Sequence, residues 1–364
     1  MIRAIWEAEG AVPRDVLRRM GALGFFGIRY PERWGGAAMD ARASVVFAEE
    51  LGRSTFSGAA ITALVHTDMA SVHVFNAGSD AQKAAHMPAI VSGETITAVA
   101  VTEPDAGSDV RGIRTTARRR AGGGYVLNGA KLYITNGVLA DLYCVAAKTP
   151  DDAGGSAGGS AGGSGRAMTM FLLEKGTPGF TVGRRLEKQG WLCSDTAELR
   201  FDDVELPESA VLGEPGRGFY AIMRNFQNER LVLGGMAMGE ALAALELTVD
   251  YAKTRRAFGG SLWEKQALRQ RLAMLAAKVA AARQLVYATA YRDAQGEDVV
   301  REVSMIKALC GELVNEVTYA CLQVHGGAGY MRGAAIERMA RDARVQAIGG
   351  GATEVMLEEV AKRM

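Results

Sequence analysis

The chain has 364 residues, enough for a sizeable core and for two or three ordinary domains. Its 42 Lys+Arg balance 41 Asp+Glu to a formal charge of +1, which argues against a surface built to coat nucleic acid or an anionic membrane. The four cysteines, Cys144, Cys193, Cys310 and Cys321, lack any C-x-x-C spacing, so a zinc site or disulfide framework is not expected and a reducing compartment is.

The opening "MIRAIWEAEGAVPRD" has charges where a signal peptide would be apolar, and no uncharged apolar run reaches the roughly 18–20 residues of a membrane span. A cytoplasmic protein is expected. Residues 1–94 read as helical. Pro13 opens a helix that Gly24 ends, "ARASVVFAEELGR" and "AITALVHTDMASVHVFNAG" keep helical spacing, and Ser79 is positioned to cap "DAQKAAHMPAIVSG".

Residues 95–208 change character. "TITAVAVTE", "DLYCVAAKT", "AMTMFLLEK" and "TAELRFDDVEL" are short, apolar and β-branched, and the Asn128-Gly129 pair predicts a hairpin turn between two strand-like runs. Inside this segment lies "GGSAGGSAGGSG", residues 154–165, with the composition of a flexible coil and the expected role of a long hairpin tip. Residues 209–364 are helical again, with long periodic stretches and short connections that predict a four-helix bundle. Helices, then strands, then helices point to an α+β chain of separate layers rather than to a βαβ sheet.

Five stretches carry candidate chemistry. "VTEPDAGSDVRG" offers hydroxyls and bare backbone directly after a strand, though a surface turn has the same composition. Neither G-x-G-x-x-G nor a Walker pattern occurs, so a Rossmann or P-loop nucleotide site is not supported. Tyr133 and Thr135 share one face of a strand, a flat ring beside a hydroxyl that suits a stacked heterocycle or ordinary cross-strand packing. In "TRRAFGG", Arg255 has the fork to grip a pyrophosphate, with Phe258 one helical turn away, though an ordinary helix end with solvated arginines reads the same. "QVHGGAGYMRG" holds more glycines than a helix C-cap needs, and its His325 reads as a structural histidine or, less simply, as a base.

The fifth is Glu229. Ile222, Phe226, Glu229, Leu233 and Met236 fall on one helical face, so a carboxylate interrupts an apolar stripe. A carboxyl there is either paired with a buried cation or raised in pKa by desolvation, as a general base requires. Glu240 lies on nearly the same face among small residues, where the helix edge is expected to reach water. The glycines Gly349, Gly350 and Gly351, by contrast, look like part of a site without any reactive side chain.

In this order the stretches resemble the acyl-CoA dehydrogenase family. "VTEPDAGSDVRG" and "QVHGGAGYMRGAAIERMARDAR" look like its two signatures, and "KLYITNG", "GTPGFTV", "SDTAELRFDDVELPE", "GRGF" and "RRAFG" match further landmarks, so the resemblance spans nearly the whole chain. The resemblance implies an N-terminal helical domain, a central β-barrel-like or sandwich domain and a C-terminal four-helix bundle. It implies non-covalent FAD, no metal, a homotetramer built as a dimer of dimers, and electron-transfer flavoprotein as acceptor. It implies removal of the α-proton of an acyl-CoA thioester by a carboxylate and departure of the β-hydrogen as hydride to flavin, giving the trans-2-enoyl-CoA.

Carried over by position, Val99, Val101, Thr102, Tyr133 and Thr135 would line the flavin, and Ser108 and Arg230 the CoA ester. Arg255, Phe258, Gln266, Gln323, Gly326 and Gly327 would meet the FAD of a neighbouring subunit, and Thr353 and Glu354 would also serve the cofactor. Gly351 matches the backbone N–H donor to the thioester oxygen, and "ITALVHTDMASV" would wall the acyl pocket. Most members keep their base in the C-terminal loop as Y-E-G, where this chain has Gly349, Gly350 and Gly351; the long-chain and isovaleryl types carry it in an E-R-L sequence, which Glu229-Arg230-Leu231 matches. Tyr133 replaces a frequent Trp and Ala352 a usual Thr, and one more N-terminal helix is expected in the family than begins this chain. An oxidase and a non-catalytic binding protein are the alternatives.

Overall fold

The computed structural model describes residues 2–150 and 167–364; the glycine- and serine-rich stretch 154–165 lies outside the described residues. Helices come first: α1 (Ile2–Glu9), α2 (Arg14–Ala22), α3 (Ala41–Arg53), α4 (Ser57–Leu64), α5 (Ser71–Ala77) and α6 (Asp80–Ser92). Ser79 caps α6 as its sequence predicts, accepting from Gln82 N–H while the Gln82 side chain accepts from Ser79 N–H. Between α4 and α5 the chain makes a π-helical turn, Val65–Ala70, that helical periodicity does not foretell.

Strands follow: β1 (Thr97–Ala100), β2 (Thr116–Arg119), β3 (Tyr125–Thr135), β4 (Leu142–Lys148), β5 (Met168–Glu174), β6 (Phe180–Arg185), β7 (Thr196–Leu206) and β8 (Val211–Leu212). They form one sheet in the order β6-β7-β3-β2-β4-β5-β8, with β1 parallel to β4. Strands far apart in that order still touch: the Tyr143 ring on β4 meets Phe180 on β6 with centroids 4.9 Å apart. The sheet therefore curls into a barrel-like form. Alternation on β4 sorts its side chains between two cores. Tyr143, Val145 and Ala147 join the barrel interior, while Leu142, Cys144 and Ala146 pack with Val74, Met87, Ile90 and Ile222 from the helices.

The Asn128-Gly129 pair does not turn the chain. β3 runs through it, and the register against β7 slips between Leu127 and Gly129, which makes a bulge. The reason is tertiary: Asn128 Nδ2 donates to Asp203 Oδ1 and its Oδ1 accepts from Asp203 N–H, both at 2.9 Å. A Cβ on Gly129 would stand 2.6 Å from Thr115 Oγ1. The hairpin between β2 and β3 turns instead at Gly122–Gly124, with Gly123 and Gly124 at positive φ.

The C-terminal helices are α7 (Gly218–Thr254), α8 (Gln266–Ala294) and α9 (Val300–His325), followed by the short α10 (Gly327–Tyr330), α11 (Ala335–Ala343) and α12 (Thr353–Ala361). α7 is long and apolar enough by length and composition to cross a membrane, but 78% of its apolar window is buried inside the protein. α3, α8 and α9 share its core, through Ala41 and Val45, Leu275 and Val279, and Ile306 and Leu313. Glu240 does not reach water: it is fully buried. The small residues beside it admit α3 rather than solvent, since a Cβ on Gly239 would lie 1.9 Å from Glu49 O.

Arg255 and Phe258 are not one helical turn apart. α7 ends at Thr254, and β9 (Arg256–Ala257) pairs with β10 (Gly260–Ser261) to make a minute hairpin. Its tip is Phe258 at φ +52 and Gly259 at φ +83, and the Phe258 ring is 92% exposed.

Candidate active site

A cavity of about 1270 Å³ opens where the π-helical turn, the strand end of β1, β3, α7, α9 and the Gly349–Gly351 loop meet. Its apolar wall is Ile61, Val65, Met69, Val99, Val101, Phe226 and Leu233; its polar wall includes Thr102, Ser108, Tyr133, Thr135, Trp191, Glu229, Arg230 and Lys307. The segment expected to wall an acyl pocket thus supplies Ile61, Val65 and Met69.

Each group is placed by its local structure. The loop after β1 is anchored by a buried ion pair: Lys131 Nζ donates to Glu103 Oε1 at 2.8 Å and to Val101 O at 2.9 Å. Burial alone would raise the Glu103 carboxyl, but the Lys131 charge and the N–H groups of Arg114 and Thr115 hold it below its usual range. Tyr133 stands at φ +61 beside a second register slip of β3, between Lys131 and Ile134, and its ring is 65% exposed along the cavity.

Glu229 is buried on α7, and among the described residues no cation lies within ion-pairing distance of its carboxyl. Its one recorded partner is the Asn225 amide at 3.0 Å. Burial pushes its pKa up to about 8, against the opposing pull of the Arg230 charge and the Asn225 hydrogen bond. Among the described residues the buried ion pair that the sequence also allowed does not form, and the carboxyl is desolvated.

The glycine loop sits against the same helix. A Cβ on Gly350 would stand 2.6 Å from Leu233 Cδ1, and Leu233 is one turn beyond Glu229, so two positions remote in sequence converge on one cavity. Lys307, which the sequence reading missed, holds the loop: its buried Nζ donates to Gln346 O at 2.5 Å and to Gly351 O at 3.0 Å. A lysine in an apolar helical stripe was the available signal. Among the described residues no acceptor lies in range of the Gly351 N–H.

The remaining predicted residues lie elsewhere. Arg255, Phe258, Gln266, Gln323, Gly326 and Gly327 are exposed at one end of the bundle. They gather around His325, whose ring stacks on Tyr251 with centroids 4.2 Å apart and whose carbonyl accepts from Tyr251 Oη. The His325 ring is thus packed against Tyr251, with Nε2 3.3 Å from Thr248 Oγ1. Thr353 donates to Glu312 Oε1 at 2.7 Å, and Glu354 is exposed outside the cavity wall. Ala352 lines the cavity, without a hydroxyl to offer. Among the described residues no cluster of side chains is arranged to hold a metal.

Residues 2–94, 98–204 and 216–364 match, in turn, the acyl-CoA dehydrogenase N-terminal, middle and C-terminal domains. The chain belongs to the acyl-CoA dehydrogenase family. It is 38% identical over 359 residues to the mitochondrial long-chain specific acyl-CoA dehydrogenase of Mus musculus, covering 99% of this chain and 81% of that one. A crystal structure of acyl-CoA dehydrogenase from Geobacillus kaustophilus superposes with a TM-score of 0.91 at 39% identity, over 99% of this chain and 92% of that one. An FAD complex of PigA gives a TM-score of 0.92 at 26% identity, over 99% and 92%.

This acyl-CoA dehydrogenase is an FAD-dependent enzyme. The cavity fits such a group. It exceeds the roughly 300–1,000 Å³ of a pocket for one small ligand, and it is lined by the exposed ring of Tyr133 and by two buried polar atoms, Trp191 Nε1 and Arg230 Nε, that have no hydrogen-bond partner among the described residues. Val99, Val101, Thr102, Tyr133 and Thr135, the residues that the resemblance assigns to a flavin ring, all line this cavity and would be the ones to hold it.

Proposed function

We propose that this acyl-CoA dehydrogenase converts an acyl-CoA thioester to its trans-2-enoyl-CoA, with Glu229 as the base. One observation carries the reading. Of the glutamates that line the cavity, Glu103 is paired with Lys131 and Glu187 is exposed; Glu229 alone is both buried and free of a counter-cation. When bound, FAD supplies the acceptor for the β-hydrogen as hydride.

The protein's part is position, proton and charge. Glu229 takes the α-proton onto its carboxylate, and a pKa lifted by burial makes it a stronger base than an exposed glutamate. The Gly351 N–H, held by Lys307 through the loop, is available to the thioester oxygen as negative charge develops there. Apolar walls at Val65, Met69 and Leu233 keep water from the reacting carbons.

The test is Glu229→Gln. The variant is expected to purify with bound FAD but to bleach on adding acyl-CoA at least about 10²-fold more slowly, the usual weight of a general base. Normal bleaching in a folded, flavin-loaded variant overturns the assignment. In the wild type the rate is expected to rise with pH through the titration of the base, since only the carboxylate accepts a proton.

The exposed Arg255, Phe258, Gln266 and Gln323–Gly327 end is read as the second half of a neighbouring subunit's FAD site within a homotetramer. Its exposed aromatic ring and arginine support this. A monomer by light scattering that retains FAD would refute it. Electron-transfer flavoprotein is the proposed acceptor, and faster reoxidation by air than by that protein would point to an oxidase.

A further inference from the structure

Asn225 precedes Glu229 by one turn of α7, and both side chains are buried. Its Nδ2 donates to Met69 O at 2.8 Å and to Glu229 Oε1 at 3.0 Å, with His73 Nε2 at 3.3 Å. A carbonyl can only accept, so Met69 fixes which end of the amide faces it, and the two amide hydrogens go to the two shorter contacts. Among the described residues Asn225 Oδ1 is left buried without a partner. Such a group keeps its full desolvation cost, which an apolar residue of the same size would avoid. The amide is therefore kept for what its nitrogen does.

Met69 lies in the π-helical turn Val65–Ala70, whose irregular backbone faces α7 at this point. Single π turns inside helices recur at functional sites. Glu229 Oε2, in contrast to Oε1, takes no hydrogen bond among the described residues and is not enclosed, while Glu229 lines the cavity.

We propose that Asn225 is a positioning residue for Glu229: it ties Oε1 to the carbonyl of the π turn and leaves Oε2 as the oxygen presented to the substrate α-carbon. This rests on the reading of Glu229 as the base. Donation to Oε1 stabilises the carboxylate, so it also works against the rise that burial imposes. Other charged or titratable groups near Glu229 are Arg230 on α7, His73 on α5, Asp68 in the π turn bonded to Thr67 and Asn228, and Lys307 on α9 across the cavity. His73 is neutral at working pH, its pKa lowered by burial to about 4.

The test compares holoenzymes of wild type, Asn225→Leu, Asn225→Ser and Glu229→Gln. Two readouts are taken across pH: flavin bleaching by acyl-CoA, and α-deuterium uptake into acyl-CoA on chemically reduced enzyme in D2O, where only the base can act. Asn225→Leu is expected to slow both about tenfold at pH 7, a loss of one hydrogen bond to a charged group, and to move the pH midpoint upward. Asn225→Ser, a shorter hydroxyl donor, should recover part of the shift and gives a folded variant should the leucine fail to load FAD. An unmoved midpoint in both Asn225 variants, with only a lower melting temperature, overturns the positioning role. Normal exchange by Glu229→Gln would instead overturn the base assignment, so the two failures are distinguishable.

Discussion

Gly350 and Leu233 divide one small space between them. A side chain at 350 would begin 2.6 Å from Leu233 Cδ1, on a backbone at φ +68 that L residues seldom adopt. Moving a glutamate from α7 to the loop thus requires the Leu233 methyl to move aside and strains the backbone, even though both positions face one cavity. Gly350→Glu in a Glu229→Gln background is expected to recover little bleaching, and adding Leu233→Ala is expected to raise it at least severalfold. Stopped-flow bleaching of the double and triple variants checks this. Equal rates in the two would mean that Leu233 does not gate the position.

Helices α3 and α7 approach closely because glycine lines both sides of the contact. A Cβ on Gly239 would lie 1.9 Å from Glu49 O, and one on Gly52 would lie 2.1 Å from Met236 O. Alanine in place of a mid-helix glycine gains up to about 1 kcal/mol of helix propensity. Overpacking costs about 1–3 kcal/mol, occasionally more, and here the obstacle is backbone that cannot rotate away. Gly239→Ala is therefore expected to lower stability, by up to about 2 kcal/mol net of these two terms, which is read as a lower denaturation midpoint. A midpoint at or above that of the wild type would show that the helices separate without cost.

Across the whole molecule the buried ionisable groups set how stability depends on pH. Burial raises Glu229 and Glu240 to about 8 and Asp342 to about 6, and it lowers His66 and His73 to about 4. Lys131, Lys188 and Lys307 fall to about 8 for the same reason. A raised carboxyl binds more protons folded than unfolded, so its stabilisation is lost as pH rises toward 8; a lowered histidine or lysine acts with the opposite sign, between its folded and unfolded values. Below about pH 6.5, the unperturbed histidine value, the two classes oppose each other. Above that value the two glutamates lead the difference between the two states, and as the pH nears 8 the three lysines reverse the trend. The melting temperature is expected to fall over that middle window. The bound on each group is about 1.4 kcal/mol per pH unit. Glu240→Gln, at a residue outside the cavity wall that accepts from Gln346 of that wall, should remove about half of that slope; an unchanged slope would mean that Glu240 is not protonated in the fold.

The amino-acid sequence by itself determined the layers and singled out the residue proposed as the base. Periodicity separated helical from strand segments because burial repeats every 3.6 or 2 residues, and Glu229 stood out because a charge in an apolar stripe has few uses. The family pattern in the loop singled out the same residue by its missing acid. What needed tertiary structure was whatever depends on a partner remote in the chain. Asn128-Gly129 has a turn's composition, yet Asp203 on β7 holds it as a bulge inside a strand. Glu240 sits among small residues that in an isolated helix would admit water, and α3 fills that side instead. Phe258 leaves the helix for a hairpin tip because α7 stops at Thr254. Lys307 and Asn225 are both held by carbonyls that the fold carries to them, those of Gln346 and Gly351 and that of Met69. A local pattern fixes which face of an element is buried; it contains no information on which distant backbone oxygen will meet it there.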